Sequence, residues 1–319
     1  MGAEMARWRV LVSAPSFQSV LDRFRPIFAE RGVELVVPLV RERLGETELL
    51  GLVGDIDGAL CGDDNFSERV LRSAPRLKVI AKWGTGIDSI DQETCRRLGI
   101  AVRNTPNAFT EPVADTVLGY VLCFARRLVA MDRDVHGGRW LKLPSRALGE
   151  TTLGVVGVGN IGKAVVRRAL AFGTRVLGND IVTMPADFLA ETGLAMVDKD
   201  ELLRESDFVT INCDLNPTSF HLLDERAISL MRPGAVVINT ARGGVIDESA
   251  LVAALRAGRI AGAALDVFAA EPLPADSPLL AMDNVMLAPH NASNSARVWE
   301  AVHESTVRAL LAVLEGEGH

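Results

Sequence analysis

Disulfide chemistry is the first thing this chain lacks. Its four cysteines, Cys61, Cys95, Cys123 and Cys213, lie far apart, form no C-x-x-C pair and sit in apolar or helical surroundings. That spacing excludes a disulfide framework and leads us to expect reduced thiols in a cytoplasmic protein, with no metal site. Positive charge is also scarce: 34 Lys and Arg face 41 Asp and Glu, for a net charge of −7, and basic residues gather only in pairs such as Arg126-Arg127 and Arg167-Arg168. Nucleic acid is therefore not an expected partner. Long apolar runs are missing too. The longest, 116–125, is about half the roughly 20 residues that cross a bilayer, and Arg126 ends it. Charges from Met1 to Arg9 leave no room for the apolar core of a secretory signal. Neither low-complexity tracts nor a repeat of fixed period occur.

What is present is length and a regular alternation. A chain of 319 residues, 48% of them apolar, exceeds what one core serves, so two domains with a cleft between them are expected. β-branched runs at 8–12, 34–38, 58–61, 77–81 and 100–103 read as strands. Helical spacing of apolar residues fills 19–31, 46–53, 67–74 and 91–98 between them. Such alternation predicts a parallel sheet wrapped by helices. After the turn Asn104-Thr105-Pro106-Asn107, one long helix is predicted over 111–135. Its stripe of Val113, Val117, Tyr120, Val121, Phe124 and Leu128 needs cover from the second lobe or from another subunit. A second α/β series follows, with strands at 153–156, 174–178, 208–211, 235–238, 262–265 and 285–287. An amphipathic helix over 296–314 closes the chain.

In the second series a strand runs into Gly157-Val158-Gly159-Asn160-Ile161-Gly162 and then into helix-forming residues. Gly157 permits the tight turn, Gly159 lets the backbone approach a pyrophosphate, and Gly162 lets helix and strand pack closely. Asp180 ends the next strand, placed to accept hydrogen bonds from the adenosine ribose. It would repel the 2′-phosphate of NADP, and no Arg or Lys in 181–185 rescues that phosphate, so NAD is the expected cofactor.

Three ionisable residues lie at or just beyond later strand ends: Arg242, Glu271 and His290. In a parallel sheet those ends face the ligand crevice. Arginine suits a substrate carboxylate because its fork binds two oxygens at once. Histidine suits proton transfer to and from the neighbouring carbonyl oxygen, and a carboxylate on its far nitrogen would fix the ring's tautomer. Blander readings compete: Arg242 as a solvated surface residue, Glu271 as a loop acid, Cys213 as a nucleophile, Asp266 as the base. Among the other histidines, His136 and His303 sit in helical patterns and are expected to be exposed, His221 lacks a strand end before it, and His319 is terminal. Lys82 reads as a solvated stem over Trp83 or as a substrate contact, and Phe109, Trp83 and Trp140 as pocket walls or core.

The stretches Lys82-Trp83-Gly84-Thr85-Gly86-Ile87-Asp88, 157–162, 239–244, 265–272 and Pro289-His290 together resemble the D-isomer-specific 2-hydroxyacid dehydrogenase family. Phosphoglycerate dehydrogenase, glyoxylate/hydroxypyruvate reductase and formate dehydrogenase are among its members. The resemblance implies an NAD-dependent hydride transfer between cofactor and a small 2-hydroxy or 2-keto acid, with Arg242, Glu271 and His290 catalytic. It implies cofactor contacts at Thr85, Asn160, Ile161, Cys213, Thr240, Asp266 and Ser293, and substrate contacts from the backbone of Gly84, Thr85 and Gly86, a turn suited to an anion. It further implies two Rossmann- or flavodoxin-like domains, with substrate binding by 1–106 plus 296–319, NAD binding by 107–295, and a homodimer formed through the NAD-binding domain. Lys82-Trp83 and the stretch 291–295 depart from the common pattern, which leaves the identity of the acid open. The alternatives are an NADP-dependent glyoxylate/hydroxypyruvate reductase and a non-catalytic, NAD-sensing corepressor-like protein. The latter usually carries interaction tails, and none is expected here.

Overall fold

The computed structural model describes residues 7–316. The chain forms two compact units, one running up to Ala108 and resuming at Ser295, the other spanning Phe109–Asn294. Among the described residues no helix is long and apolar enough to cross a membrane.

In the first unit, β1 (Trp8–Val12), β2 (Val33–Val36), β3 (Gly58–Cys61), β4 (Val79–Lys82) and β5 (Ala101–Arg103) form a parallel sheet in the order β2-β1-β3-β4-β5. Residues of β3 and β4 are buried throughout, as helices on both faces require, so Val79, Ile80 and Ala81 do not alternate with polar residues before Lys82 ends β4. Leu11, Leu49, Phe66, Leu71 and Ile80 belong to the core on one face. The closing helix, Ala296–Leu314, lies on β3 and β4. Gly58 permits that approach: a Cβ there would stand 3.1 Å from Leu310 Cδ1.

Two expectations fail in this unit. His303 is only 3% exposed, because it shares the sheet-facing side of the closing helix with Val302, Thr306 and Leu310. Lys82 is not solvated either. At 5% exposure its Nζ pairs with Asp63 Oδ1 at 3.3 Å and donates to the Trp83 carbonyl at 3.0 Å, since the last residue of a covered strand has no route to water.

In the second unit, β6 (Thr152–Val156), β7 (Arg175–Asn179), β8 (Ala195–Met196), β9 (Phe208–Ile211), β10 (Val236–Asn239), β11 (Gly262–Leu265) and β12 (Val285–Leu287) form a parallel sheet in the order β12-β11-β10-β9-β6-β7-β8. The order reverses between β6 and β9, the topological switch point of a dinucleotide fold. Two apolar clusters cover the faces, one around Val209, Val237 and Leu251, the other around Val117, Val155 and Val165. The two-residue β8 is too short to show a pattern in sequence.

The long helix expected over 111–135 is two helices, Thr110–Ala125 and Leu128–His136, broken where Arg127 takes a left-handed φ of 55°. The first packs on the Asn160–Ala171 helix. The second buries none of its residues, and Leu128, Val129 and Val135 face outward. Apolar periodicity carried on past Ala125 although the core did not. Trp140 is 84% exposed and so not a core residue, whereas Trp83 and Phe109 are buried.

Candidate active site

Each candidate residue of the second unit sits at or just beyond a carboxyl end of its sheet. After β6 the chain turns at Gly157, whose φ is 84° and whose N–H donates to Asn179 O at 2.8 Å. A Cβ at Gly157 would lie 2.6 Å from the Cys213 nitrogen, so glycine is required both by φ and by space. At Gly162 a Cβ would overlap the Gly157 carbonyl oxygen, which ties the start of the Asn160–Ala171 helix to the turn itself. Gly159 is different: nothing lies within 4 Å of where its Cβ would be. The open side of Gly159 lies at the amino end of the Asn160–Ala171 helix, the end whose dipole favours an anion.

Asp180 follows β7. Its Oδ2 accepts the Val158 N–H at 2.6 Å and its Oδ1 the Val182 N–H at 2.9 Å. The carboxylate therefore braces the glycine turn and retains acceptor capacity for ribose hydroxyls. Cys213, half-buried after β9, has its thiol pushed up to about 11, chiefly by burial, and stays protonated. That removes the nucleophile reading. Thr240, just after β10, is buried, and its Oγ1 has no hydrogen-bond partner, an orphan that a bound ligand would satisfy. Asn160 is exposed, while Ile161 and Ser293 are half-buried. The open Gly159, the capacity left on Asp180 and the orphaned Thr240 hydroxyl fit a dinucleotide.

Beyond the cofactor turn, the loop after β10 is fixed by a residue to which the sequence assigned no role. Asn239 is 1% exposed; its Oδ1 accepts the Ala241 N–H at 3.0 Å and its Nδ2 donates to Arg242 O at 2.9 Å. A buried amide at a strand end, next to a turn, was the available signal. Arg242 Nη1 donates to Ala241 O at 2.8 Å. Gly243 has no room for a side chain, since a Cβ would overlap the Phe268 carbonyl. The loop carrying Arg242 is thus pressed against the segment that leads to Glu271.

Glu271 and His290 meet. Glu271 Oε1 accepts the Phe268 N–H at 2.9 Å, and its Oε2 lies 3.1 Å from His290 Nδ1. Both are largely screened from water, with side chains 14% and 25% exposed. His290 holds a φ of 50°, costly for a non-glycine residue by roughly 1–3 kcal/mol. Asp266 over-determines that conformation. Its carbonyl accepts the His290 N–H at 2.7 Å, and its 1%-exposed carboxylate accepts the N–H groups of Asn291 and Ala292, each at 2.9 Å. Asp266 is therefore a scaffold for the histidine loop. With Nδ1 committed to Glu271, the ring presents Nε2 for proton transfer.

The remaining candidates lie in the first unit. Gly84, at φ 119°, accepts the Thr105 N–H at 2.9 Å; Thr85 Oγ1 donates to Thr105 O at 3.0 Å, and Asn104 Nδ2 to Thr85 O at 2.6 Å. The Gly84, Thr85 and Gly86 turn is thus held against residues 104 and 105.

Residues 118–292 match the family described as D-isomer specific 2-hydroxyacid dehydrogenase, NAD binding domain. The chain is 41% identical over 260 residues to a protein named glyoxylate reductase from Korarchaeum cryptofilum, covering 80% of this chain and 78% of that one. It is 34% identical to a hydroxypyruvate reductase from Thermotoga maritima, over 93% and 95% of the two chains. Among solved structures, the D-lactate dehydrogenase of Aquifex aeolicus, complexed with NAD and lactic acid, superimposes with a TM-score of 0.86 at 30% identity, covering 97% and 96%.

Proposed function

The chain belongs to the D-isomer-specific 2-hydroxyacid dehydrogenases, NAD-dependent oxidoreductases of the CH–OH group, and we propose that Arg242, Glu271 and His290 carry its reaction on a small 2-keto acid of the glyoxylate and hydroxypyruvate class. The observation that carries this reading is the 3.1 Å contact between Glu271 and His290, held on both sides by main-chain hydrogen bonds.

NADH, when bound, would supply the hydride for the carbonyl carbon. Arg242 pins the substrate carboxylate, with its fork on two oxygens. His290 donates a proton from Nε2 to the carbonyl oxygen and takes it back in the reverse direction, while Glu271 keeps the ring's tautomer and aim. Asp180, Thr240, Cys213, Ser293 and the turn from Gly157 to Gly162, with Asn160 and Ile161, hold the cofactor in residues 107–295. Thr85 is assigned a further cofactor contact. Gly84, Thr85 and Gly86 offer main-chain N–H groups to the substrate carboxylate in the unit formed by 1–106 and 296–319.

We further assign a cytoplasmic location, supported by the four free cysteines. A homodimer through the NAD-binding domain is supported by exposed Leu128, Val129, Val135, Trp140 and Leu141.

The test is an NADH-oxidation screen over glyoxylate, hydroxypyruvate, pyruvate and phosphohydroxypyruvate, repeated with His290→Ala and Arg242→Ala. Each variant is expected to lower kcat/KM by about 10²-fold or more while NADH affinity holds. Unchanged turnover in either variant would remove that residue from the mechanism.

A further inference from the structure

The closing helix reaches the proposed carboxylate turn through one hydrogen bond. Trp83 immediately precedes Gly84 and is tied down by hydrogen bonds from main chain and ring alike. Its N–H donates to Cys61 O at 2.8 Å, its carbonyl accepts from Lys82 Nζ at 3.0 Å, and its indole Nε1–H donates to His303 Nδ1 at 2.9 Å. The first two ties belong to strands β3 and β4. The third spans 220 residues of sequence. Around it the rings close up: Trp299 meets Trp83 edge-on at 5.1 Å, and Phe17 and Phe24 stand 5.7 and 6.3 Å from the imidazole. Trp83 and His303 are both buried, so the indole N–H has no water to turn to if the acceptor is lost.

We infer that His303 is a positioning residue for substrate binding, which by accepting the Trp83 indole proton holds the root of the Gly84, Thr85 and Gly86 turn in its anion-binding shape. The inference rests on the carboxylate role proposed for that turn. Neutral imidazole with its proton on Nε2 is an acceptor at Nδ1; imidazolium is a donor at both nitrogens. Protonation of His303 therefore sets two N–H groups against each other across 2.9 Å, and Trp83 must move. The charges facing the ring are few. Glu300, one turn earlier on the same helix, favours imidazolium; Arg23, which donates to Glu300 at 2.9 Å, opposes it; on the Trp83 side Lys82 is paired with Asp63. Burial outweighs these and lowers the pKa of His303, so the acceptor form persists at neutral pH.

Two variants separate positioning from packing. His303→Phe keeps a ring of similar size and removes the acceptor; His303→Asn places an amide oxygen where Nδ1 was and does not titrate. Steady-state kinetics on glyoxylate and hydroxypyruvate should show KM raised about three- to tenfold in His303→Phe, with kcat and the NADH Kd within about twofold, and KM returning toward the parent value in His303→Asn. In the parent, KM should climb as pH falls below neutrality with a component that His303→Asn lacks. Tryptophan emission should show the same titration in the parent and lose it in His303→Asn. Thermal melts establish that each variant is folded. An unchanged KM in folded His303→Phe, or no recovery in folded His303→Asn, overturns the inference, as does a rise in KM matched by the NADH Kd. Gly86→Ala keeps the two levels apart. If it raises KM while His303→Phe does not, only the role of His303 falls; if it leaves KM unchanged, the carboxylate role of the turn falls and this inference with it.

Discussion

At the scale of single residues, identity and environment contribute separately. Arg242, Glu271 and His290 are proposed from chemical type and from position after a strand, because guanidinium, carboxylate and imidazole each suit one task in carbonyl reduction. Asp266 shows what type alone leaves out. Its carboxylate is spent on the N–H groups of Asn291 and Ala292, holding the backbone that strains His290. His303 carries a prediction for stability. Its pKa is depressed below the ordinary 6.5 by burial, so as pH falls below 6.5 the unfolded chain takes up a proton that the native state refuses. The stabilising contribution is complete above 6.5 and is lost progressively down to the lower, folded-state value. Denaturant unfolding at pH 7.5 and at pH 5 should show the parent losing more stability than His303→Asn does. An equal pH dependence in the two proteins would contradict the depressed pKa.

At the scale of elements, the glycines divide by what they prevent. Gly157 and Gly162 keep the Asn160–Ala171 helix against its strand, and Gly159 leaves a space open. Gly243 joins two loops: any Cβ there displaces Phe268, whose N–H holds Glu271, while the preceding residue is Arg242 itself. Gly243→Ala is therefore expected to cost about 1–3 kcal/mol of stability and to lower kcat/KM on a 2-keto acid as well. Denaturant midpoints and steady-state kinetics check both; a variant as stable and as active as the parent would show that the loops yield. The break at Arg127 was not legible, since the apolar spacing from Val113 to Val135 continues through it. The first helix ends at Ala125, and Arg127 turns the chain in a left-handed conformation before the second begins.

At the scale of the molecule, two parallel sheets follow the same rhythm with different strand orders, one reversing between β1 and β3, the other between β6 and β9. The exposed apolar residues of the Leu128–His136 helix belong to this scale, because none of the helix's residues is buried within its own unit. The proposed homodimer predicts that the parent sediments at about twice the 34.3 kDa chain mass and that Val135→Asp shifts it toward the monomer. A parent that sediments as a single chain at micromolar concentration would reject that assembly.

The amino-acid sequence by itself determined the α/β class, the glycine turn followed by Asp180, and the placing of an arginine, a glutamate and a histidine at or just beyond strand ends. These rest on local rules: side-chain periodicity, the steric freedom of glycine, and the chemistry of each functional group. Only the tertiary structure decided that Lys82 and His303 are buried, that Asn239 and Asp266 act as scaffolds, and that the helix stops at Ala125. Each of these depends on which distant backbone occupies the neighbouring space, as Trp83 does for His303 and the Asn291 loop for Asp266, and no local pattern encodes that pairing.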